Sequence, residues 1–261
     1  MIFRQLFDPE TSTYSYLLAD EITREAVLID PVREQVARDA DLIRELGLTL
    51  RFTLETHVHA DHITGAAALR TRLGSRAAVG AAAGVACADV ALADGAALQF
   101  GSLELRALAT PGHTAGCTTY ALASAGVAFT GDALLIRGCG RTDFQQGNAR
   151  RLFHSVREHI FTLPDATLLY PGHDYRGRTV TTVAEEKRWN PRLGLARSEA
   201  EFVALMAGLK LDYPKRMDES VPANLACGTG PTPPAHVAAV AALVADQAGR
   251  QDGEADLGAG I

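Results

Sequence analysis

The segment Thr56-His57-Val58-His59-Ala60-Asp61-His62 constrains this chain more than any other, because it sets three imidazoles and a carboxylate within six consecutive positions. Neutral imidazole and carboxylate are ligands for Zn, Fe, Mn or Ni, and an ordinary core has no use for four such groups side by side. A solvated, His-rich loop without a metal is the plain alternative. Against it, matching pieces recur downstream in Thr110-Pro111-Gly112-His113-Thr114, Thr130-Gly131-Asp132 and Tyr170-Pro171-Gly172-His173-Asp174. The short apolar runs before them, Arg51–Thr56, Leu103–Leu108, Val127–Thr130 and Leu168–Tyr170, read as strands. Each candidate ligand therefore sits just past the C-terminal end of a strand, where α/β folds build sites. The glycine before His113, Asp132 and His173 is read as letting the backbone turn sharply toward one cleft.

Seven of these positions can be divided in two ways. His57, His59 and His113 can form one site and Asp61, His62 and His173 another, with Asp132 bridging. Two neighbouring cations would then share a hydroxide, as in a binuclear hydrolase. Alternatively, His57, His113 and Asp132 form a two-His, one-carboxylate set that leaves open positions for substrate and O2 on a non-haem Fe(II). Spacing alone does not choose. The other three of the eight histidines, His154, His159 and His236, lie in helix-like segments and read as surface or helix-end residues.

Helical periodicity is expected over Val32–Leu46, with Gly47 as its stop, and over Thr64–Leu73, Asn148–Phe161, Val180–Trp189, Ser198–Leu209 and Pro234–Ala248. Asn148 and Ser198 suit N-caps, and Glu201 completes a capping box with Ser198. The first strand is expected at Tyr14–Leu18. At 261 residues, 47% hydrophobic and 21% charged, the chain can bury one substantial core. One domain is expected over residues 1–250, with a Gly- and acid-rich disordered tail at 251–261.

A net charge of −6 without a basic run gives no long-range attraction for nucleic acid, so an anionic substrate must be held by a local cluster. No membrane segment is expected, because Asp89 and Asp94 interrupt the Ala-rich stretch Ala77–Leu98. Cys87, Cys117, Cys139 and Cys227 are far apart, form no C-x-x-C pair and follow no secretory leader. A reducing cytoplasm is the expected setting. Assembly is left open, with a homodimer allowed.

The order H-x-H-x-D-H, Gly-His, Gly-Asp, Gly-His resembles the metallo-β-lactamase superfamily, up to about residue 180. The resemblance implies an α/β fold of the αββα sandwich type with its metals at one edge. Within it, Gly138-Cys139-Gly140-Arg141-Thr142-Asp143-Phe144-Gln145-Gln146-Gly147 is similar to the persulfide dioxygenases, and the similarity continues through Tyr170–Tyr175 to Val221-Pro222-Ala223-Asn224-Leu225. It implies one Fe(II) per chain, held by His57, His113 and Asp132. His59, Asp61, His62, His173 and Asp174 would orient the ligands and bound water.

The implied reaction oxidises the terminal sulfur of glutathione persulfide with O2 and water, giving sulfite and glutathione. Glutathione carries two carboxylates, which need charge-assisted partners. Arg141 is the leading candidate, with a bond to Asp143 as its structural alternative. Tyr175 could hydrogen-bond the peptide or persulfide. Lys215 and Arg216, beside Tyr213, could contact a carboxylate or remain a solvated pair. Cys139 reads as a buried hydrophobe rather than a nucleophile, and Cys227 has no role assignable from sequence.

Three rivals stand beside this reading. Hydroxyacylglutathione hydrolase shares the H-x-H-x-D-H motif and the glutathione moiety, and the Thr142–Gln146 continuation separates the two. A non-catalytic metal-binding scaffold leaves the open positions without purpose. A nucleic-acid-processing member of the superfamily would carry a large inserted domain.

Overall fold

The central strands bury side chains on two opposite faces, so the sheets need cover on each side. In the computed structural model, which describes residues Met1–Thr229, two six-stranded sheets meet that need. The first runs in sequence order: β1 (Ile2–Asp8), β2 (Thr13–Ala19), β3 (Glu25–Ile29), β4 (Thr49–Glu55), β5 (Arg76–Gly80) and β6 (Val90–Leu92). The second comprises β7 (Ala97–Phe100), β8 (Leu103–Ala109), β9 (Thr118–Leu122), β10 (Val127–Gly131), β11 (Leu168–Pro171) and β12 (Thr181–Thr182), ordered β12-β11-β10-β9-β8-β7.

Tyr16, Leu18, Val27, Ile29 and Leu54 meet Leu105, Tyr120 and Phe129 in the core between the sheets. The neighbouring residues of the first sheet, Leu17, Ala19 and Leu28, pack on Val36, Ala40 and Ile43 of α1 (Val36–Glu45) and on Leu69 of α2 (Ala66–Leu73). On the far side, Ala121, Ala128 and Leu169 pack on α3 (Ala149–Ser155), its π-helical continuation Val156–Ile160, α4 (Val183–Trp189) and α5 (Glu199–Ala207). The expected αββα sandwich is therefore the observed one. Tyr16, Tyr120 and Phe129 are fully buried, and each such side chain contributes about 1.5–3 kcal/mol through the hydrophobic effect.

β3 and β4 run parallel, as do β10 and β11, while β8 and β10 both run antiparallel to β9. Within each sheet, the loops following these strands leave from the same edge. This topology brings the loops that begin at Asp30, Thr56, Thr110, Asp132 and Gly172 together.

Several boundaries differ from the sequence reading. The chain starts a strand earlier, at Ile2–Asp8; β1 is a sheet edge whose half-exposed residues lack a clean apolar alternation. α1 begins at Val36 after a 3-10 turn, Arg33–Gln35. α2 begins at Ala66, since the Thr64 hydroxyl accepts the Ala66 N–H at 3.1 Å. α4 begins at Val183 because Thr181 and Thr182 pair with β11, and Thr182 then caps the helix. Asn148 caps α3 and Ser198 makes a capping box with Glu201. A further helix, α6 (Met217–Leu225), was not expected, since Pro222 lies inside it. The expected helix Pro234–Ala248, His236, the domain limit at 250 and the 251–261 tail lie outside the described residues. Among the described residues no helix is long and apolar enough to cross a membrane.

The cysteines also depart from expectation. Cys87, in the loop between β5 and β6, is joined to Cys227, just past α6, by a disulfide. Their separation of 140 residues hides the pairing from any spacing rule. Cys117 and Cys139 are free and buried.

Candidate metal centre

The site is built on Asp30, which follows β3 and which the sequence reading missed. Fully buried with φ 49°, it accepts the Thr56 N–H through Oδ1 at 2.7 Å and the Thr56 hydroxyl through Oδ2 at 2.8 Å. Thr56 has one hydroxyl proton and gives it to Asp30, so toward His57 Nδ1, 3.0 Å away, it can only accept. His57 therefore carries its proton on Nδ1 and keeps Nε2 bare. His113 Nδ1 lies 2.7 Å from the Arg141 carbonyl, which also can only accept, so in the neutral ring Nε2 is the nitrogen left free. Asp132 receives His173 Nδ1–H on Oδ1 at 2.8 Å and keeps Oδ2, 3.8 Å from His113 Nε2.

One ligand atom from each of His57, His113 and Asp132 lies within 4.8 Å of the others. Burial, reinforced by the neighbouring His59 and His113, holds His57 well below the usual imidazole range. It is thus in the neutral form that a metal requires. Burial opposes the charge on Asp132, but His173, His113 and His57 draw its carboxyl well below the usual range. Two aimed imidazoles and one ionised oxygen make a fit donor set for a divalent transition metal.

The other expected residues are placed differently. His173 lies between two carboxylates, Asp132 Oδ1 at 2.8 Å and Asp61 Oδ2 at 3.1 Å. Both are acceptors, so both ring nitrogens are protonated, and despite burial the pair raises His173 well above its ordinary value. Asp61 Oδ2 also receives His62 Nδ1 at 2.8 Å and the Thr13 hydroxyl at 3.1 Å. His59 turns Nε2 to Asp30 at 3.1 Å and to Glu55 at 3.4 Å. Burial alone would lower it, yet these carboxylates push it up to about 10. The His59 ring centroid lies 4.1 Å from that of His57, but His59 is not part of the set of ligand atoms formed by His57, His113 and Asp132. It does share a second cluster of candidate ligand atoms with Asp61 and His62. His59 Nδ1 and His62 Nε2 are buried without hydrogen bonds.

Asp174 is a correction. Its oxygens accept the Arg176 and Arg178 N–H groups, both at 2.8 Å, and the Arg178 side chain at 2.9 Å. It shapes the turn after His173 rather than orienting a ligand. The Arg141 guanidinium makes the bond to Asp143 named as its structural alternative: it is bidentate to that acid at 2.7 and 2.7 Å, donates to the Asp212 carbonyl at 2.6 Å and covers the Phe144 ring. The acid two residues along the chain claims the group, and the loop uses the Arg141 carbonyl to aim His113. Arg216 pairs with Glu34 at 3.2 Å and Glu219 at 3.5 Å, and Lys215 is exposed, so neither is brought to the cluster. Tyr175 is 73% exposed and its ring stacks parallel to His173, with centroids 6.0 Å apart. Burial pushes the Cys139 thiol up to about 11, which suits a packing residue.

The glycines act unequally. Gly112 and Gly131 have φ of 142° and 50°, as a sharp turn requires, whereas Gly172 does not turn this way. It is needed for proximity: a Cβ there would lie 2.8 Å from Asp132 Oδ1.

Asn224 was a motif residue without a role. Its amide donates to the His59 and His62 carbonyls, both at 2.8 Å, and accepts the Thr64 N–H at 2.8 Å, so α6 clamps the His-rich loop. Gln145 Nε2 ties the same loop to the Arg141 loop through the Val58 carbonyl at 2.8 Å. Asp30 was legible by the strand-end rule that found the other ligands. Thr13 and Glu55 carried no comparable signal.

The metallo-beta-lactamase superfamily profile matches residues 8–173. The chain is 54% identical over 235 residues to the mitochondrial persulfide dioxygenase ETHE1 of Mus musculus, covering 90% of this chain and 91% of that protein. It superimposes on the crystal structure of ETHE1 from Myxococcus xanthus with a TM-score of 0.85 at 55% identity, covering 87% of this chain and 100% of that one. Similarity to a hydroxyacylglutathione hydrolase of Cereibacter sphaeroides is lower, 37% over 168 residues, covering 63% of this chain and 64% of that protein.

Proposed function

The chain belongs to the persulfide dioxygenase family of the metallo-β-lactamase superfamily, and from that premise we propose that it oxidises glutathione persulfide with O2 and water on one ferrous ion. One persulfide, one O2 and one water give one glutathione and one sulfite with its two protons. The S–S bond breaks and the outer sulfur takes all three oxygens.

The observation that carries the single-ion reading is the proton pattern. His57 and His113 each keep a bare Nε2 and Asp132 keeps Oδ2, while both nitrogens of His173 hold protons. A binuclear hydrolase needs His173 as a ligand, which would require removing the proton of one ring nitrogen and breaking that nitrogen's carboxylate bond. His57, His113 and Asp132 would hold the iron. Ferrous iron in such a set supplies open coordination positions and redox chemistry toward O2.

The remaining groups position atoms and protons. The Thr56 hydroxyl and the Arg141 carbonyl aim the two imidazoles, and His173 Nδ1–H fixes Asp132. The Tyr175 hydroxyl, at the exposed edge beside His173, is offered to the persulfide or its peptide. The Nη1 proton of Arg141 not used by Asp212 is the donor left for a glutathione carboxylate. A cytoplasmic setting belongs to the same proposal, and there the Cys87–Cys227 disulfide would have to withstand the thiol pool.

An oxygen electrode tests the activity. Iron-loaded protein given glutathione persulfide should consume O2, release one sulfite per O2 and stop without air. Anaerobic hydrolysis of S-lactoylglutathione, with no oxygen uptake on persulfide, would overturn the proposal.

A further inference from the structure

Beside the metal cluster lies a cavity of about 20 Å³, and His57 is a wall of both. Most of its lining comes from Ala66 of α2, Ala77 and Val79 of β5, and Ala83 and Val85 in the turn that follows. The polar side chains at its margin, Glu55 Oε2 apart, are already engaged. Asn224 uses its amide on Thr64, His59 and His62. The Thr64 hydroxyl donates to Glu55 and accepts from Ala66 N–H. Glu55 Oε2, 3.4 Å from His59 Nε2, is the side-chain atom there that is buried without a hydrogen bond. A water would fit by volume, since about 10–15 Å³ is enough, but it needs 2–4 polar partners and finds one.

Cavities of this kind stay dry and take apolar guests. The persulfide is anionic and attached to a tripeptide, so neither its charge nor its bulk suits the space. The proposed reaction has one small apolar reactant. Resting on that reading of the function, we infer that this cavity is a holding site for dioxygen, which partitions from water into the alanine- and valine-lined space and is kept next to the ligand His57. The cluster itself then need not hold oxygen before the persulfide arrives.

The test uses crystals of the iron-loaded protein under xenon pressure, together with oxygen-dependent kinetics at saturating glutathione persulfide. Xenon should refine among Ala77, Val79 and Val85. Ala77→Val, which fills the space, should lower xenon occupancy and raise the KM for O2 about threefold or more, with the KM for persulfide and the iron content unchanged, because only ground-state binding of O2 is removed. Val85→Ala, which widens the space at the loop side, should retain xenon and leave the KM for O2 no higher than in the parent; a raised value counts against the site. Oxygen uptake with no xenon in the cavity, an ordered water there instead, or an unchanged KM for O2 in Ala77→Val would overturn the holding site alone. Absence of oxygen uptake by the parent protein would overturn the functional reading itself.

Discussion

Asp132 is the residue at which the hydrogen-bond network meets the proposed metal site. One oxygen is fixed by His173 and the other faces the cluster. Asp132→Ala and His113→Ala should each abolish iron binding and activity. His62→Ala should retain most of the iron and lose activity about 10–100-fold, the usual scale for groups that orient ligands. Equal iron loss in all three variants, read by elemental analysis, would make His62 a ligand. His59 gives a pH prediction for the metal-free protein. Asp30 and Glu55, working against burial, raise it from 6.5 to about 10. A raised imidazole contributes its stability fully below its unfolded value and loses that contribution as pH rises to about 10. Chemical denaturation should show stability falling over that alkaline window, with a shallower fall in His59→Gln. A flat profile in the parent protein would contradict the pairing. At this scale the ligand types were legible because Gly-His and Gly-Asp at strand ends are local signals. The partners of Arg141 were half legible: Asp143 is two residues away, whereas the Leu211–Asp212 carbonyls arrive from a distant segment.

Among the elements, α6 shows what local sequence conceals. Pro222 interrupts any helical reading of Met217–Leu225, but tertiary bonds hold the helix in place, and Asn224 on it grips the His59–Thr64 backbone. Asn224→Ala leaves two carbonyls and an N–H buried without these partners. It should destabilise the protein by about 1–3 kcal/mol, measured by urea unfolding, and lower iron affinity as the loop loosens. A variant as stable as the parent with unchanged iron affinity would remove the clamp from the account. By contrast, α5 was legible to its cap because Ser198 and Glu201 are close neighbours. Ser198→Ala should cost about 1 kcal/mol and leave iron content untouched. β1 and the short β12 escaped because an edge strand with mixed exposure, or one of two residues, has too little alternation to read.

For the whole molecule, the sandwich architecture was legible through the resemblance that the metal motifs carry, while the register that brings the strand-end loops together was not. Phe129 lies in the core between the sheets on the strand that delivers Asp132. Phe129→Ala should therefore cost about 3–5 kcal/mol; a loss below 1 kcal/mol in calorimetry would show that this core does not support the site. The Cys87–Cys227 bond was invisible in sequence because its partners meet only when α6 docks beside the loop after β5. The central proposal is one ion held by His57, His113 and Asp132, with His173 kept between Asp61 and Asp132. Elemental analysis of protein purified without added metal tests it most directly. About one iron per chain, lost in Asp132→Ala and largely kept in His62→Ala, is the predicted result; two zinc ions per chain, bound through Asp61, His62 and His173, would contradict it.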